Sequence, residues 1–390
     1  VRFYTGAAFR SKVEASGATL VPWSAAPDFD ENDVAATFPR LIGKRGLRQL
    51  MINVEDLFIA TAPSQVADLT AEWERERWDA IVAEEMSVGA TIFAEKTGCR
   101  WATLAVLPLN MSVTEGPPSG LGLTPGTNVV TKARDAALRA AVPIFARPLM
   151  APLARARAEV GLPPSSLTFE KVVFSRDLVA ASGSPLLDFE RGGRPDHVHF
   201  VGRVGVDAAP TALPDWWDDL DGRTVVHITQ GTQNIEPSDL IRPAVEALAD
   251  RDVIAVVATG VAGRDELPFA VPANVRVAGL LPYAALLPRV DVMVTNGGWG
   301  GTLAALSHGI PLVIAGGDLD KPEIAARVAW TGAGVNLRTG TPSAAKVRAG
   351  VDRVLGDRSF RDAATRVGAE LRSLGGQAHA AELVERLVAS

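Results

Sequence analysis

The sequence contains little cysteine, histidine or tyrosine: its 390 residues include one cysteine, five histidines and two tyrosines. The single cysteine, Cys99, excludes an internal disulfide framework and a zinc site built from cysteines, and this usage is typical of a reducing cytoplasm. We therefore predict a cytoplasmic protein. The histidines show no metal-ligand spacing, so we expect structural roles for them. They are His197, His199, His227, His308 and His379.

Long apolar runs and an excess of positive charge are also missing. No apolar run reaches the ~20 residues that span a bilayer, so we predict no stable membrane insertion. The formal net charge of −6 and the pI near 5.5 argue against a nucleic acid or an anionic membrane as a partner. Hydrophobic residues make up 47% of the chain and charged residues 22%, which indicates a globular protein with enough residues for two or three domains.

Strand patterns alternate with helical patterns along the chain. A buried strand over 78–85 precedes a helix over 90–96, and a strand over 224–229 restarts the alternation. Such alternation predicts parallel sheets with helices on both faces. We also predict a strand over 172–180 and a helix over 132–160. Three prolines are expected to break that helix: Pro143, Pro148 and Pro152.

The most informative stretch begins with an apolar strand pattern over 292–294. The turn Asn296-Gly297-Gly298-Trp299-Gly300-Gly301-Thr302 follows, and a helical pattern starts at Leu303. Its glycines allow close approach of a ligand to the backbone, and the helix that follows directs free N–H groups outward. That end carries about half a positive charge, which favours a phosphate or a diphosphate. Spacing alone leaves a second interpretation, a glycine-capped helix start without a ligand.

The residues after this helix narrow the interpretation. His308-Gly309-Ile310-Pro311 precedes a strand pattern over 312–314, the loop Gly316-Gly317-Asp318-Leu319-Asp320-Lys321 and a helix that begins at Pro322. Ala326-Arg327-Val328 and Gly332-Ala333-Gly334 complete the order. Residues 292–336 thereby resemble the donor-binding signature of the family 1 glycosyltransferases of the GT-B fold. That signature reads roughly His-Gly-Gly-x-Gly-Thr, Gly-Val-Pro, Asp-Gln, Asn-Ala-x-Arg-Val and Gly-Ala-Gly.

The resemblance implies an α/β fold with two tandem Rossmann-like, doubly wound parallel-sheet domains. We expect an acceptor-binding domain over 1–206, a linker over 207–223 and a donor-binding domain over 224–375. A last helix over 376–390 is expected to pack back on the first domain. The first strand pattern, over 1–6, corresponds to the family's second strand, so we expect about 30 residues, one βα unit, to be missing before it.

The resemblance also implies site residues. The donor diphosphate would be bound by Gly231, Thr232, Asn296, Gly297, Gly298, Trp299, Gly300 and Gly301. The nucleotide base would lie against Leu280, Leu281 and Pro282. The sugar hydroxyls would contact Asp320 and Lys321. No cofactor is expected beyond the nucleoside-diphosphate sugar as co-substrate, because this cradle makes a metal ion redundant.

Several positions depart from the family pattern. Asn296 replaces a phosphate-binding histidine and can donate only a neutral hydrogen bond, or it can simply shape the turn. Lys321 replaces a glutamine, which leaves the sugar undetermined. Asp318 and Asp320 spell Asp-x-Asp, a metal motif in another glycosyltransferase fold, and we favour the metal-free interpretation. Ala304 replaces a glutamate that contacts ribose hydroxyls, which favours a dTDP-deoxysugar over UDP-glucose.

The catalytic base is a histidine in the resembled family, and it would lie in the segment expected before Val1. Its orienting acid aligns with Glu84, with Glu85 adjacent. A carboxylate paired with an imidazolium suits this role, although both glutamates can also be solvated loop residues. Two loops rich in proline, 24–46 and 108–127, are the expected acceptor-binding elements.

These observations predict a metal-independent inverting glycosyltransferase that moves a sugar to a hydroxyl of a small apolar natural product. The partners would be that acceptor and the nucleotide sugar, with no nucleic acid, and a homodimer is left open. One alternative is a catalytically silent partner of the same fold, motivated by Asn296 and Lys321, and another is a sugar-nucleotide epimerase. A nicotinamide-dependent oxidoreductase ranks last, because the glycines at 297–301 do not have the Gly-x-Gly-x-x-Gly spacing.

Overall fold

A computed structural model describes residues 1–30, 33–44, 46–166, 168–205, 213–231 and 236–389. Twelve strands lie within these ranges. They are β1 (Arg2–Thr5), β2 (Thr19–Pro22), β3 (Ala80–Glu84), β4 (Arg100–Ala105), β5 (Leu178–Ser182), β6 (Val198–Gly202), β7 (Val225–Thr229), β8 (Ile254–Ala258), β9 (Val275–Ala278), β10 (Val292–Thr295), β11 (Leu312–Ile314) and β12 (Gly334–Asn336).

Fourteen α-helices alternate with these strands in the described residues. They are α1 (Arg10–Ala15), α2 (Val34–Thr37), α3 (Gly46–Asn53), α4 (Ala62–Arg75), α5 (Val88–Thr97), α6 (Val129–Glu159), α7 (Phe169–Val173), α8 (Ile241–Leu248), α9 (Tyr283–Leu286), α10 (Trp299–Ser307), α11 (Lys321–Thr331), α12 (Ala344–Gly356), α13 (Arg358–Ser373) and α14 (Gly376–Ala389). A π-helical segment, Val54–Ile59, lies between α3 and α4.

The second half of the chain forms a six-stranded sheet in the order β12-β11-β10-β7-β8-β9. Each neighbouring pair is parallel. Val225 and Val226 are adjacent on β7 and pack into two different apolar layers, because successive side chains of a strand point to opposite faces. Helices therefore cover both faces of the sheet, and the doubly wound α/β fold predicted from the sequence is confirmed.

The strand order reverses between β7 and β10. From β7 the chain continues outward through β8 and β9, and it then returns to the other side of β7 for β10, β11 and β12. In open parallel sheets, ligands bind beyond the carboxyl ends of the strands at such a switch point. The loops after Thr229 and Thr295 lie at this position.

The first half of the chain contributes two other sheets. β1 pairs with β2 in a parallel two-stranded sheet, and a four-stranded sheet has the order β3-β4-β5-β6. β3 and β4 are parallel, with Glu84 opposite Leu104 at the end of the register. This register places Glu84 at a carboxyl strand end, as the sequence predicts.

The contacts within the chain divide it into two compact units. One unit contains residues 1–105, 140–180 and 382–390, and the other contains 106–139 and 181–381. The predicted linker at 207–223 lies partly outside the described residues, and the predicted domain boundaries stay a prediction.

One described helix, α6, is long and apolar enough to cross a membrane, judged by length and composition only. Length and composition alone do not show that this helix lies in a membrane.

Two predictions about local structure were wrong. Residues 129–159 form one helix without a break, although Pro143, Pro148 and Pro152 lie inside it. Buried Leu149 and Leu153 anchor its second half, and this packing offsets the hydrogen bonds that proline removes.

The strand predicted over 172–180 is the second error. The chain forms the short helix α7 over Phe169–Val173 and the strand β5 only from Leu178. Val172 and Val173 are buried in the helix, and their β-branched side chains favoured the wrong assignment. Tertiary packing outweighs the local preference here.

Candidate functional site

The glycine turn after β10 has a conformation that requires glycine. Gly297 has φ of +89°, and a Cβ atom at this position would lie 2.7 Å from Ile314 Cγ2. Its N–H donates to Thr295 Oγ1 at 3.2 Å. Any larger residue would therefore meet both the left-handed backbone and the side chain of the neighbouring strand. The turn is consequently in close contact with Ile314 of β11.

Asn296 shapes this turn with both ends of its amide group. Its Nδ2 donates to the carbonyl oxygen of Gln230, and its Oδ1 accepts from the N–H of Gly298 at 3.3 Å. A Cβ atom on Gly231 would lie 3.8 Å from the same amide, so the ends of β7 and β10 meet here. The side chain is 8% exposed. Its direct contact with a phosphate stays a prediction.

The N-terminus of α10 opens above the turn. Gly298 precedes the first helical residue. Apart from their chain neighbours and the backbone of the helix itself, no described heavy atom lies within 4 Å of a Cβ built on Gly300 or Gly301. The first N–H groups of a helix have no partner inside the helix. Together with the positive end of the helix dipole, these open glycines form a surface with room for an anion.

Two other residues of this helix differ in their environment. The indole N–H of Trp299 donates to the carbonyl of Ser182 at 3.2 Å and the ring packs against Gly183, so only the Trp299 backbone faces the turn. Thr302 is completely buried, and its Oγ1 has no hydrogen-bond partner among the described residues. A buried hydroxyl without a partner is unusual, and a ligand or water at the helix end would satisfy it.

The predicted sugar-binding loop lies beside the turn. A Cβ atom on Gly297 would be 3.8 Å from the carbonyl oxygen of Lys321. Lys321 Nζ lies 3.8 Å from Asp318 Oδ1, and burial raises the pKa of Asp320 while the lysine charge opposes this effect. Leu319 has φ of +53°, a strained value for leucine, which indicates that the surrounding contacts hold the loop in place.

The predicted base-binding segment precedes α9. Leu280 is 56% exposed, whereas Leu281 and Pro282 are buried. Tyr283, the next residue, places its hydroxyl 3.1 Å from His227 Nε2. This contact connects the segment to β7.

His227 is completely buried beneath that segment. Its Nδ1 lies 3.0 Å from the carbonyl oxygen of Val256, and burial lowers the pKa of the imidazole to about 4. The ring is therefore neutral at physiological pH. His227 is a hydrogen-bonded core residue, in agreement with the structural role predicted for it.

Glu84 lies at the end of β3, in the first unit. Its Oε2 accepts from the N–H of Met86 at 2.9 Å. Burial and the charge of adjacent Glu85 raise the pKa of Glu84 to about 8, and Glu85 itself is 6% exposed. A carboxyl group that titrates near neutrality is suited to proton chemistry, and a cationic neighbour would lower its pKa.

The structure brings four of the predicted site residues together. Gly231, Asn296, Gly297 and Lys321 are close neighbours at one end of the six-stranded sheet. Thr232 lies outside the described residues. No group of three or more His, Cys, Asp or Glu side chains within the described ranges could hold a metal ion.

Sequence reasoning missed a buried network around α11. Arg327 is 1% exposed and pairs with Glu323 and Asp188, both of which are 3% exposed. The available signal was the spacing of Glu323 and Arg327, four residues apart within an apolar helix, which places both charges on one face. Such a pair in a buried helix predicts a polar partner from another segment.

Comparison with known proteins gives a consistent result. Residues 243–389 match the family described as erythromycin biosynthesis protein CIII-like, C-terminal domain. The chain is 39% identical to 4'-demethylrebeccamycin synthase of Lentzea aerocolonigenes over 100% of this chain and 92% of that protein. It is 31% identical to UDP-glucosyltransferase A1 of Starmerella bombicola over 95% of this chain and 82% of that protein.

Solved structures show the same fold. Spinosyn forosaminyltransferase superposes with a TM-score of 0.71 at 21% identity, covering 100% of this chain and 92% of that one. The glycosyltransferase VinC in complex with dTDP gives a TM-score of 0.67 at 21% identity, with the same coverage of both chains. These neighbours establish the GT-B fold.

Proposed function

This chain belongs to the family 1 glycosyltransferases of the bacterial natural-product type, and from that premise we propose that it is a metal-independent, inverting enzyme for a small apolar acceptor. As a glycosyltransferase it uses a nucleotide sugar and a small-molecule acceptor. The observation that carries the finer proposal is the open, glycine-lined N-terminus of α10 beside Gly231 and Asn296. Its N–H groups suit a diphosphate that gains negative charge as it leaves.

The proposed reaction is a single in-line displacement. The acceptor hydroxyl oxygen forms a bond to the anomeric carbon while the bond from that carbon to the diphosphate oxygen breaks. The acceptor proton passes to a general base, and the nucleoside diphosphate departs. One displacement inverts the anomeric configuration. The helix N–H groups and the Gly231 backbone stabilise the leaving group, and Asp320 accepts hydrogen bonds from sugar hydroxyls.

Glu84 is the proposed orienting acid for the histidine base that the family resemblance implies. Pairing with an imidazolium would keep Glu84 ionised against the burial and the Glu85 charge that raise its pKa.

We further propose that the donor is a dTDP-deoxysugar, with UDP-glucose as the second candidate. Ala304, in the position of the family's ribose-binding glutamate, is 2% exposed and packs in the apolar core. Alanine cannot accept a hydrogen bond from the 2'-hydroxyl of a ribose. A deoxyribose has no 2'-hydroxyl, so it needs no acceptor at this position. One similar protein has been solved in complex with dTDP, and another is named as a UDP-glucosyltransferase. Both nucleotides are therefore included in the test.

Competing donors and a general acceptor provide the test. The protein is incubated with 4-methylumbelliferone and a dTDP-6-deoxyhexose, dTDP-glucose or UDP-glucose. Chromatography with mass detection follows nucleoside diphosphate release and a deoxyhexose or hexose mass increment. Product anomeric configuration, determined by NMR, decides between inversion and retention. Failure to release nucleotide, together with no change in melting temperature on adding dTDP or UDP, would favour a catalytically silent partner protein.

The proposal also covers the cellular location and the oligomeric state of the protein. We infer a cytoplasmic protein, because nucleotide sugars are cytoplasmic co-substrates and the single cysteine suits a reducing compartment. A homodimer stays open. Size-exclusion chromatography with light scattering would determine the oligomeric state.

A further inference from the structure

The start of α11 holds more than the predicted sugar loop. Arg327, one and a half turns into the helix, uses its guanidinium group to bind two other segments of the same unit. Its Nη2 donates to the carbonyl of Leu109 at 2.9 Å and to Ser119 Oγ at 3.1 Å. Its Nη1 lies 3.0 Å from Asp188 Oδ1. The 107–123 segment is therefore attached to the donor-side helix at two points.

Glu323 supplies a third point of attachment. Its Oε1 accepts from Arg327 Nε at 3.0 Å, and its Oε2 accepts from the N–H of Gly122 at 3.0 Å. The carboxylate thus connects the Arg327 side chain with the backbone of the segment. Arg327, Glu323 and Asp188 are nearly inaccessible to solvent, so the contacts among them are little screened.

The contact at Gly122 is too close for any other residue. Gly122 has φ of +64°, and a Cβ atom there would lie 2.8 Å from Pro322 Cβ and 3.1 Å from the Pro322 carbonyl carbon. Pro322 is two residues beyond Asp320 in the chain. The backbone of the segment therefore rests directly on the helix end that follows the predicted sugar loop. The adjacent Leu121 is 49% exposed and presents an apolar side chain at this place.

We propose that Glu323 and Arg327 are positioning residues, which seat the 107–123 segment on the first turn of α11 so that Leu121 forms part of the wall that selects an apolar acceptor. The inference rests on the proposed function and adds a location for acceptor selection. The attachment makes the position of this wall depend on the same helix end that carries Asp320 and Lys321. Acceptor recognition and the sugar loop are thereby mechanically coupled.

Three variants separate this role from general stabilisation. Gly122→Ala inserts a methyl group at the contact. Glu323→Ala removes both of its hydrogen bonds, and Glu323→Gln keeps an oxygen that can accept from Gly122 N–H. Gly222→Ala is the matched control, because Gly222 has φ of +68° but no atom within 4 Å of its Cβ position. The control therefore introduces the backbone strain without the collision.

The kinetic measurement uses 4-methylumbelliferone with the donor that the wild-type enzyme accepts. We expect Gly122→Ala and Glu323→Ala to raise the KM for the acceptor at least fivefold, while affinity for the free nucleoside diphosphate changes less than twofold. Glu323→Gln should recover most of the loss, and Gly222→Ala should resemble wild type. Wild-type acceptor KM in folded Gly122→Ala and Glu323→Ala variants, or an equal loss of nucleotide affinity, would overturn the proposal.

A second measurement needs no turnover. Amide hydrogen exchange should show a protected 107–123 segment in the wild type, faster exchange there in Glu323→Ala and near-normal exchange in Glu323→Gln. Equal protection in all three proteins would also overturn the proposal. Absence of transfer by the wild-type enzyme would instead count against the proposed function, and hydrogen exchange would then still decide whether the attachment exists. If Glu323→Ala does not fold, as judged by circular dichroism, Gly122→Ala and Leu121→Ser replace it in both measurements.

Discussion

The six-stranded sheet and the sheets of the first half differ in how completely their strands are covered. Every residue of β7, β8, β10 and β11 is buried, whereas Val82 on β3 is 48% exposed and Phe3 on β1 is 51% exposed. The residues predicted to bind the donor follow fully buried strands, whose packing fixes the positions of the strand ends. The candidate acid Glu84 is the last residue of β3, which is less buried. Packing within its own sheet therefore restricts the position of Glu84 less.

The same contrast applies to polar groups. In the second unit, Arg327, Glu323 and His227 are almost inaccessible, and each makes specific contacts. In the first unit, Glu84 and Glu85 are two acids side by side, and the pKa of Glu84 is raised by burial and by the charge of Glu85. Satisfied buried groups rigidify a structure, and adjacent like charges make it sensitive to pH. Four predictions test this difference.

The largest effect is expected when the Arg327 network is broken. Arg327→Met leaves Glu323 buried without its ion-pair partner and removes one of the two arginines that pair with Asp188, the other being Arg194. We expect the free energy of unfolding to fall by about 3–5 kcal/mol in urea titrations. Arg348→Met removes a surface pair with Asp250 and should leave the free energy of unfolding close to that of the wild type, because solvent screens exposed charges. Similar losses for both variants would remove the contrast between enclosed and exposed charge pairs.

Acid should destabilise the second unit through His227. The native imidazole has a pKa of about 4, below the ordinary value of 6.5, so the unfolded chain binds a proton first as pH falls. Stability should therefore decrease between pH 6.5 and 4, by up to about 3 kcal/mol. Urea titrations at several pH values should show this slope in the wild type and a smaller slope in His227→Gln. An unchanged slope would exclude His227 as its source.

The glycine turn should be intolerant of a methyl group. Gly297→Ala combines a left-handed backbone with a Cβ atom 2.7 Å from Ile314 Cγ2, so we expect a loss of about 1–3 kcal/mol in stability. Isothermal titration with dTDP or UDP should show at least tenfold weaker binding. Gly222→Ala again controls for backbone strain alone. Equal nucleotide affinity in both variants would argue against a ligand at this turn.

A pH effect of the opposite sign is expected in the first unit, at Glu84. Its pKa near 8 lies above the ordinary value of 4.5, so the native state keeps a proton that the unfolded state has released between these values. Stability should decrease as pH rises from about 5 to 8, and Glu84→Gln should remove this decrease. Melting temperatures across this range provide the measurement. If the wild-type stability does not change, Glu84 is ionised in the folded protein.

Much of the donor-side region was predictable because its residues are contiguous. The turn, the strand β11, the acidic loop and the start of α11 follow one another within residues 292–336, and each has a local physical signature. Glycine indicates the left-handed backbone at 297, and apolar runs of three to five residues indicate enclosed strands. The hydrogen bond from Asn296 to the carbonyl oxygen of Gln230 could not be predicted in this way, because Gln230 is distant in the sequence.

The amino-acid sequence alone determined the doubly wound α/β class, the glycine turn and the order of strands and helices around it, because periodicity and glycine placement act over a few residues. Only the tertiary structure decided that α6 continues through three prolines, that residues 169–173 are helical, and that Arg327 joins α11 to the 107–123 segment. These features depend on packing and hydrogen bonds between residues far apart in the chain. Such interactions outweigh local preferences wherever enough surface is buried.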